Sequence, residues 1–232
     1  MLVSESFSKG WEVYKKNFYG LLVLNAIRLV ALLGFALLAV LLFFLFLPDM
    51  PHITLGGMVS VMFYGLSLLA LFIVASPVFL YPHFAGSVLA LSKRLKAEWA
   101  LELLREKYFK LIIDTLIYWA VFLFLVVESL FLMMGSPFLG TLLFLVAVYV
   151  AVRLNFWDVL VFAGEEHPIM ASWRLTEGRF WQSFLFVVVA NITLQVLLFV
   201  PMLGFFLCFL AMPFITSSKA VFATKGFNKK RR

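Results

Sequence analysis

Charged residues are scarce in this chain, and their scarcity excludes a soluble fold. Asp, Glu, Lys and Arg make up 13% of the 232 residues, whereas hydrophobic residues make up 64%. Soluble domains carry about 25% charged and about 45–50% apolar residues, so no soluble fold of this length would bury so much apolar surface. We therefore expect lipid, rather than water, to surround most of the chain.

Cysteine and recognisable catalytic motifs are also missing. The single cysteine, Cys208, lies in an apolar run, which excludes an internal disulfide and indicates a buried thiol. The sequence contains no Ser/His/Asp or Cys/His nucleophile set and no phosphate-binding glycine loop. His167 follows two glutamates, but no second His or Cys stands at ligand spacing, so we interpret the segment as a turn. The sequence predicts no catalytic residue, no cofactor and no metal.

Long apolar runs are abundant, and each is long enough to cross a membrane. A helix needs about 20 residues to span a hydrocarbon core of about 30 Å, and helices satisfy their own backbone hydrogen bonds there. The first run is far longer than the apolar core of about 7–15 residues in a signal peptide, which predicts an uncleaved span. In the second run, Pro77 and Pro82 predict a span to Leu80 followed by a bend into a cytoplasmic extension. The runs cover residues 20–47, 53–92, 109–134, 138–163, 182–200 and 203–224.

Lys and Arg are distributed on one side of these spans. They precede the first span, separate the second from the third and the fourth from the fifth, and follow the sixth. The turns Pro48–Pro51, Ser136–Pro137 and Pro201–Gly204 contain none. By the positive-inside rule, we expect a multi-pass protein of the cell membrane with both termini in the cytoplasm. The basic tail, 227–232, is expected to contact anionic lipid headgroups rather than nucleic acid.

A short amphipathic segment precedes every second span. In each segment, apolar side chains recur at a spacing of four, three and four residues, which places them on one helical face. This pattern predicts an all-α integral membrane protein: a single domain, 1–232, with six transmembrane helices arranged as three parallel repeats, each an interfacial amphipathic helix and a helical hairpin. The repeat units are 1–92, 93–163 and 164–226; coincidence is the alternative explanation. The apolar stripes are Phe7, Trp11, Tyr14 and Phe18; Ala97, Leu101, Leu104 and Tyr108; and Ile169, Trp173, Thr176 and Phe180.

Three motifs carry a family resemblance. They are SESFSKGWEVYKKNF at 4–18, PIMASWRLTEGRF at 168–180, and Met212-Pro213 in the last span. Together they resemble a group of integral membrane proteins related to the membrane domain of glycerophosphoryl diester phosphodiesterases. The resemblance implies a six-helix membrane module. Some members carry a separate soluble phosphodiesterase domain, but no stretch outside the spans is long enough for one here, so the resemblance implies no phosphodiesterase activity.

Polar side chains inside the spans are the candidate functional residues. An ionised group at the bilayer centre costs about 2.5 kcal/mol or more, so we expect such a group either to pair with an opposite charge or to have a function. Given the expected topology, most of these side chains fall in the cytoplasmic half of the membrane. The candidate set for a polar cavity is Arg28, His83, Asp114, Arg153, Asn155, Asp158, Asn191 and Lys219.

Two interpretations of this polar set stay open. In the first, acids and bases pair between spans and amides bridge helices, so the set serves packing alone. In the second, it lines a cavity that opens to the cytoplasm and holds an anionic headgroup or solute. Both interpretations predict at least one acid–base contact between different spans, because an unpaired charge in a low dielectric is strongly unfavourable.

Three functional hypotheses follow. The first is a non-enzymatic membrane module whose basic cytoplasmic face contacts anionic membrane lipids, a protein partner or a second copy of the chain. The second is a transporter of a small solute or lipid, or a transporter's substrate-binding membrane subunit, that uses the polar cavity. The third, an intramembrane enzyme, is disfavoured because no nucleophile or metal set is present. A connected polar cavity would favour the second hypothesis, and a packed core with every charge paired would favour the first.

Overall fold

A computed structural model describes residues 2–46, 55–92, 94–198 and 203–230, and every regular element in these ranges is an α-helix. The predicted turn at 48–51, Lys93, residues 201–202 and the last two residues of the basic tail lie outside the described residues. The helices are α1 (Leu2–Lys16), α2 (Phe18–Phe46), α3 (Leu55–Leu80), α4 (Pro82–Ser92), α5 (Ala97–Glu106), α6 (Tyr108–Gly135), α7 (Pro137–Leu154), α8 (Trp157–Phe162), α9 (Pro168–Thr176), α10 (Phe180–Leu198) and α11 (Gly204–Lys230).

Six helical segments of the described chain are long and apolar enough to cross a membrane, as the sequence predicts. Their outer faces carry large apolar side chains, such as Phe138, which is 77% exposed. Each exposed apolar Å² costs roughly 25 cal/mol in water, so this surface belongs in lipid. The six segments indicate a multi-pass membrane protein. They are Phe18–Phe44, Leu71–Ser92, Tyr108–Gly135, Pro137–Phe162, Phe180–Leu198 and Gly204–Thr224.

Two of the spans are interrupted. The break between α3 and α4 falls at Pro82, as the proline pattern predicts. The break between α7 and α8, at Asn155 and Phe156, is not among the predicted features. Ser172 of α9 closes this second break: its hydroxyl donates to the Arg153 carbonyl (2.8 Å) and accepts the Phe156 N–H (3.2 Å). A neighbouring helix thus satisfies backbone groups that the broken span leaves unpaired.

Proline inside a helix removes a backbone hydrogen bond, and a side chain of the same or another helix provides a donor instead. Because proline has no N–H, the carbonyl four residues earlier loses its partner. Before Pro213 in α11, the Phe209 carbonyl accepts a hydrogen bond from Asn25 Nδ2 (2.7 Å). The Leu210 carbonyl in the same turn accepts one from the Tyr14 hydroxyl (3.2 Å). Burial raises the pKa of Tyr14, which keeps this hydroxyl protonated and able to donate.

The same arrangement recurs at Pro77 in α3. The Ile73 carbonyl, four residues earlier, accepts a hydrogen bond from the Ser76 hydroxyl (2.8 Å). The Val74 carbonyl accepts one from the Tyr108 hydroxyl at the start of α6 (2.5 Å). Hydrocarbon offers no water to replace a lost partner, so each proline-containing span needs such donors. These bonds therefore fix α3 against α6, and α11 against α1 and α2.

The three predicted amphipathic segments are helices α1, α5 and α9. Tyr14, Leu104 and Thr176 of the predicted stripes are buried, but other stripe residues are not, and small residues outside the stripes are buried as well. Trp11, for example, is 46% exposed, whereas Gly10 beside it is buried. A Cβ at Gly10 would overlap the backbone of Ser218, so only glycine allows α1 to lie this close to α11. Small residues therefore stand where two helices approach closely, whereas the apolar spacing pointed to large side chains. The buried residues are Ser6, Gly10 and Tyr14; Ala100 and Leu104; and Ala171, Ser172, Leu175 and Thr176.

All three helices end before the last residue of their predicted stripes, since Phe18 and Tyr108 belong to α2 and α6, and the third helix ends earliest. α9 ends at Thr176, and Phe180 already belongs to α10. Gly178 between them has φ of 72°, a left-handed conformation that L side chains rarely adopt and that ends the helix.

The predicted cytoplasmic extension after the second span is a buried central helix. On α4, the side chains of His83, Ala85 and Ser87 are buried. The Ser87 hydroxyl donates to Thr216 Oγ1 of α11 (3.1 Å). Small residues let α4 pack closely in the middle of the bundle.

Hydrogen bonds tie several helix junctions together. The Leu95 N–H after α4 donates to Asn17 Oδ1 at the start of α2 (2.8 Å). Lys110 Nζ at the start of α6 donates to the carbonyls of Glu165 and Glu166 after α8 (2.6 and 2.7 Å). The short helix α5 connects these two groups of junctions along the chain.

Candidate functional site

A cavity of about 200 Å³, called here the polar cavity, lies beside the two interrupted spans. Four of the eight predicted polar residues line it. They are Arg28 of α2, His83 of α4, Asn155 between α7 and α8, and Asp158 of α8. Both chain breaks contribute residues, because a helix that stops within a span brings polar groups to that depth.

Three aromatic residues that the sequence analysis did not single out form another part of the wall: Tyr81, Tyr118 and Trp157. The Trp157 ring centroid lies 5.7 Å from that of Tyr81 and 6.1 Å from that of Tyr118. The Thr115 hydroxyl donates to the Leu111 carbonyl (2.5 Å), so the Tyr81 hydroxyl is the donor in its 2.9 Å bond to Thr115. Tyr81 stands next to Pro82, and this position beside a predicted bend is the signal that would have found it. Trp157 follows the break that the sequence does not predict.

An ion pair stands behind the cavity wall. Lys219 Nζ of α11 lies 2.7 Å from Asp158 Oδ2, and the two side chains are only 11% and 10% exposed. The ammonium group also lies 4.8 Å from the centroid of the Phe84 ring. This contact confirms the predicted acid–base pairing between different spans. Arg28 lies in the same wall, whereas the carboxylate that lines the cavity, Asp158, already has Lys219 as its partner.

His83 is the most unusual group at the site. Its side chain is 1% exposed, and both ring nitrogens are buried without a hydrogen-bond partner in the described protein. The ring packs against Phe84 with the centroids 4.3 Å apart, while Arg28 and Lys219 lie within electrostatic range. A neutral imidazole has one donor and one acceptor, and each one left unmade costs about 1–3 kcal/mol. A ligand that accepts a hydrogen bond would provide a partner for the donor nitrogen of this ring.

Asp114 and Arg153 do not line the polar cavity, which corrects the predicted set. Asp114 is buried in α6 within electrostatic range of Lys110 and His167. The Arg153 guanidinium stacks on Trp173 of α9, 4.4 Å from the ring centroid. The prediction grouped residues by depth in the membrane, and depth does not fix which side of a helix a residue occupies.

Asn191 is a further correction. It is exposed on α10, and its Nδ2 donates to the Val187 carbonyl of the same helix (2.8 Å). The buried side of α10 is formed instead by Ser183, Phe186 and Ala190. The Asn191 amide therefore makes its hydrogen bond within its own helix and does not line the cavity.

A second cavity of about 230 Å³, called here the apolar groove, lies between α2, α10 and α11. Its walls are mostly apolar, with Leu29, Leu194 and Phe205 among the lining residues. Arg28 and Met212 line both this groove and the polar cavity. The two spaces therefore meet at these two side chains.

The described residues form no metal site, and the comparisons with known proteins find no relative. Within the described ranges, no three His, Cys, Asp or Glu side chains come together as a metal site would require. No protein-family model, no curated protein and no solved structure matches the chain.

Proposed function

We propose that the protein is a non-enzymatic membrane module that binds a small anionic group in the polar cavity. The observation that carries the proposal is His83, buried in the cavity wall with two unpartnered ring nitrogens. An anion would accept hydrogen bonds from the imidazole and from Arg28, and charge-assisted bonds of this kind are about twice as strong as neutral ones. Such binding is the step that a transporter, or a substrate-binding membrane subunit, requires.

Packing alone does not account for the cavity. The Asp158–Lys219 pair serves packing, since it neutralises two buried charges. The pair does not explain the open space of the polar cavity. A water molecule needs only about 10–15 Å³ of cavity volume, so a cavity of about 200 Å³ has room for a small polar group. This supports the transporter or binding-subunit hypothesis over a module that acts only through its basic surface.

The proposal is tested by thermal unfolding in a nonionic detergent with soluble anions. Dimethyl phosphate and acetate represent a phosphodiester and a carboxylate with one negative charge each. A ligand that binds only the folded state raises its stability as concentration increases. We expect at least one of the two anions to raise the Tm of the wild-type protein, and Arg28→Gln and His83→Phe to lose that shift.

The matched control is Arg153→Gln, which removes the same charge outside the cavity. Its own Tm will fall if the stacking on Trp173 is lost, but its anion-dependent shift should equal that of the wild type. The proposal fails if neither anion shifts the wild-type Tm, or if Arg153→Gln loses the shift as completely as Arg28→Gln does.

We also propose that both termini face the cytoplasm of a cell-membrane protein and that the chain consists of three parallel repeats. The one-sided Lys and Arg distribution supports this orientation, and exposed basic side chains such as Lys9, Lys96 and Arg174 are suited to contact anionic headgroups there. In a Cys208→Ala background, a membrane-impermeant thiol reagent applied to intact cells should modify Ser136→Cys and Leu203→Cys but not Lys96→Cys. Labelling of Lys96→Cys from outside would overturn the proposed topology.

A further inference from the structure

The polar cavity is too small for a complete ligand of ordinary size. Sites that enclose a whole small molecule measure about 300–1,000 Å³, and the polar cavity has about 200 Å³. The cavity therefore holds either a very small ion or one end of a larger ligand. The remainder of a larger ligand needs a neighbouring space.

The apolar groove is that neighbouring space. It begins where the polar cavity ends, because Arg28 and Met212 belong to both walls. Beyond Arg28 the lining is almost entirely apolar, apart from Asn25, and the Asn25 amide already donates to the Phe209 carbonyl. A hydrocarbon chain fits such a surface, whereas a polar solute would lose hydrogen bonds to water without replacing them.

The outer rim of the groove faces the region that lipid occupies. Leu32, Leu198 and Phe205 line the groove and are all exposed, Phe205 to 65%. Since these residues lie on membrane-spanning segments, a lipid acyl chain reaches the groove from the side without crossing water.

From these observations, and resting on the proposed function, we infer that the bound ligand is an anionic phospholipid. Its phosphodiester lies in the polar cavity with Arg28 and His83, and one of its acyl chains lies in the apolar groove. The acidic side chain among the lining residues, Asp158, is already paired with Lys219, so the lining offers no further carboxylate to the ammonium of a zwitterionic lipid. This favours an anionic lipid such as phosphatidylglycerol. Arg28 stands where head and chain meet, which suits a guanidinium that binds a phosphate while its methylene stem contacts hydrocarbon.

Native mass spectrometry of the purified full-length protein tests this inference. The protein in nonionic detergent is mixed with equal amounts of phosphatidylglycerol and phosphatidylcholine that have the same acyl chains. We expect one phosphatidylglycerol to be retained preferentially, and Cys208→Phe, which fills the groove, to lose it. Leu29→Trp is a second groove-filling variant, and Leu123→Trp places a large side chain on the exposed face of α6 as the matched control.

The anion-dependent Tm shift of the same proteins separates this inference from the proposed function. Groove-filling variants should keep the wild-type shift with the soluble anion, because they leave Arg28 and His83 in place. Equal retention of the two lipids, retention unchanged in both groove-filling variants, or retention lost equally in Leu123→Trp would overturn the lipid assignment. If these results come with a normal anion shift, the polar cavity binds a small soluble anion; if the shift is absent as well, the proposed function fails too.

Discussion

Replacing Lys219 by methionine should lower the free energy of unfolding by about 3–5 kcal/mol, because it leaves the buried carboxylate of Asp158 without its partner. The reverse change, Asp158→Leu, should cost a similar amount, since it leaves the ammonium unpaired. The double variant should recover most of the loss: two apolar side chains of similar volume pay no desolvation cost, and such replacements are often neutral or stabilising. Equilibrium unfolding in detergent, followed by tryptophan fluorescence, measures all three.

The matched control for this cycle is Lys9→Met. Lys9 Nζ lies 3.5 Å from Glu5 Oε1, but both side chains are about half exposed. A surface pair of this kind contributes about 0–1 kcal/mol, so its loss should change stability little. If Lys219→Met proved as mild as Lys9→Met, or if the double variant were no more stable than the single ones, the pair at 2.7 Å would not contribute as its burial indicates.

Asn25→Leu should destabilise the protein by about 1–3 kcal/mol, because it strips the Phe209 carbonyl of the donor that replaces the N–H missing from Pro213. The cost should shrink in a Pro213→Ala background. Alanine at that position restores the backbone N–H, so the Phe209 carbonyl no longer depends on the Asn25 amide. The double-mutant cycle, again by equilibrium unfolding in detergent, should report a coupling of about 0.5–3 kcal/mol between the two positions.

Asn191→Leu supplies the same substitution without the proline. Asn191 is exposed, and its amide donates to a carbonyl of its own helix, so leucine there should be neutral or slightly stabilising in a detergent or lipid environment. An Asn25→Leu cost that is the same with and without Pro213 would show that the amide matters for another reason.

The elements that the sequence predicts well are those that depend on local covalent or compositional properties. Six apolar segments of sufficient length are helices in the structure, because hydrocarbon leaves an isolated backbone segment few other ways to satisfy its hydrogen bonds. The bend at Pro82 follows from the missing N–H of proline. Helices α1, α5 and α9 follow from apolar spacing, although α9 is shorter than predicted.

The candidate site is predicted only in part. Arg28, His83, Asn155 and Asp158 line one cavity, and Lys219 pairs behind it, but Asp114, Arg153 and Asn191 lie elsewhere. The separation of Arg153 from Asp158 has a specific cause. A spacing of five residues on an α-helix already places two side chains about 140° apart around the helix axis. The chain also breaks between them at Asn155 and Phe156, where the Ser172 hydroxyl of another helix binds the backbone.

By itself, then, the sequence determined how many segments enter the membrane, where the prolines bend them, and that an acid and a base within the spans should pair. The tertiary structure decided which face of each helix is buried, that the backbones of α1 and α11 approach each other at Gly10, and that a polar cavity joins an apolar groove at Arg28. The physical reason is the solvent. In water, apolar periodicity marks the buried side of a helix, but in lipid both sides of a spanning helix are apolar. Which side of such a helix is buried is then determined only by its contacts with helices that are distant in sequence.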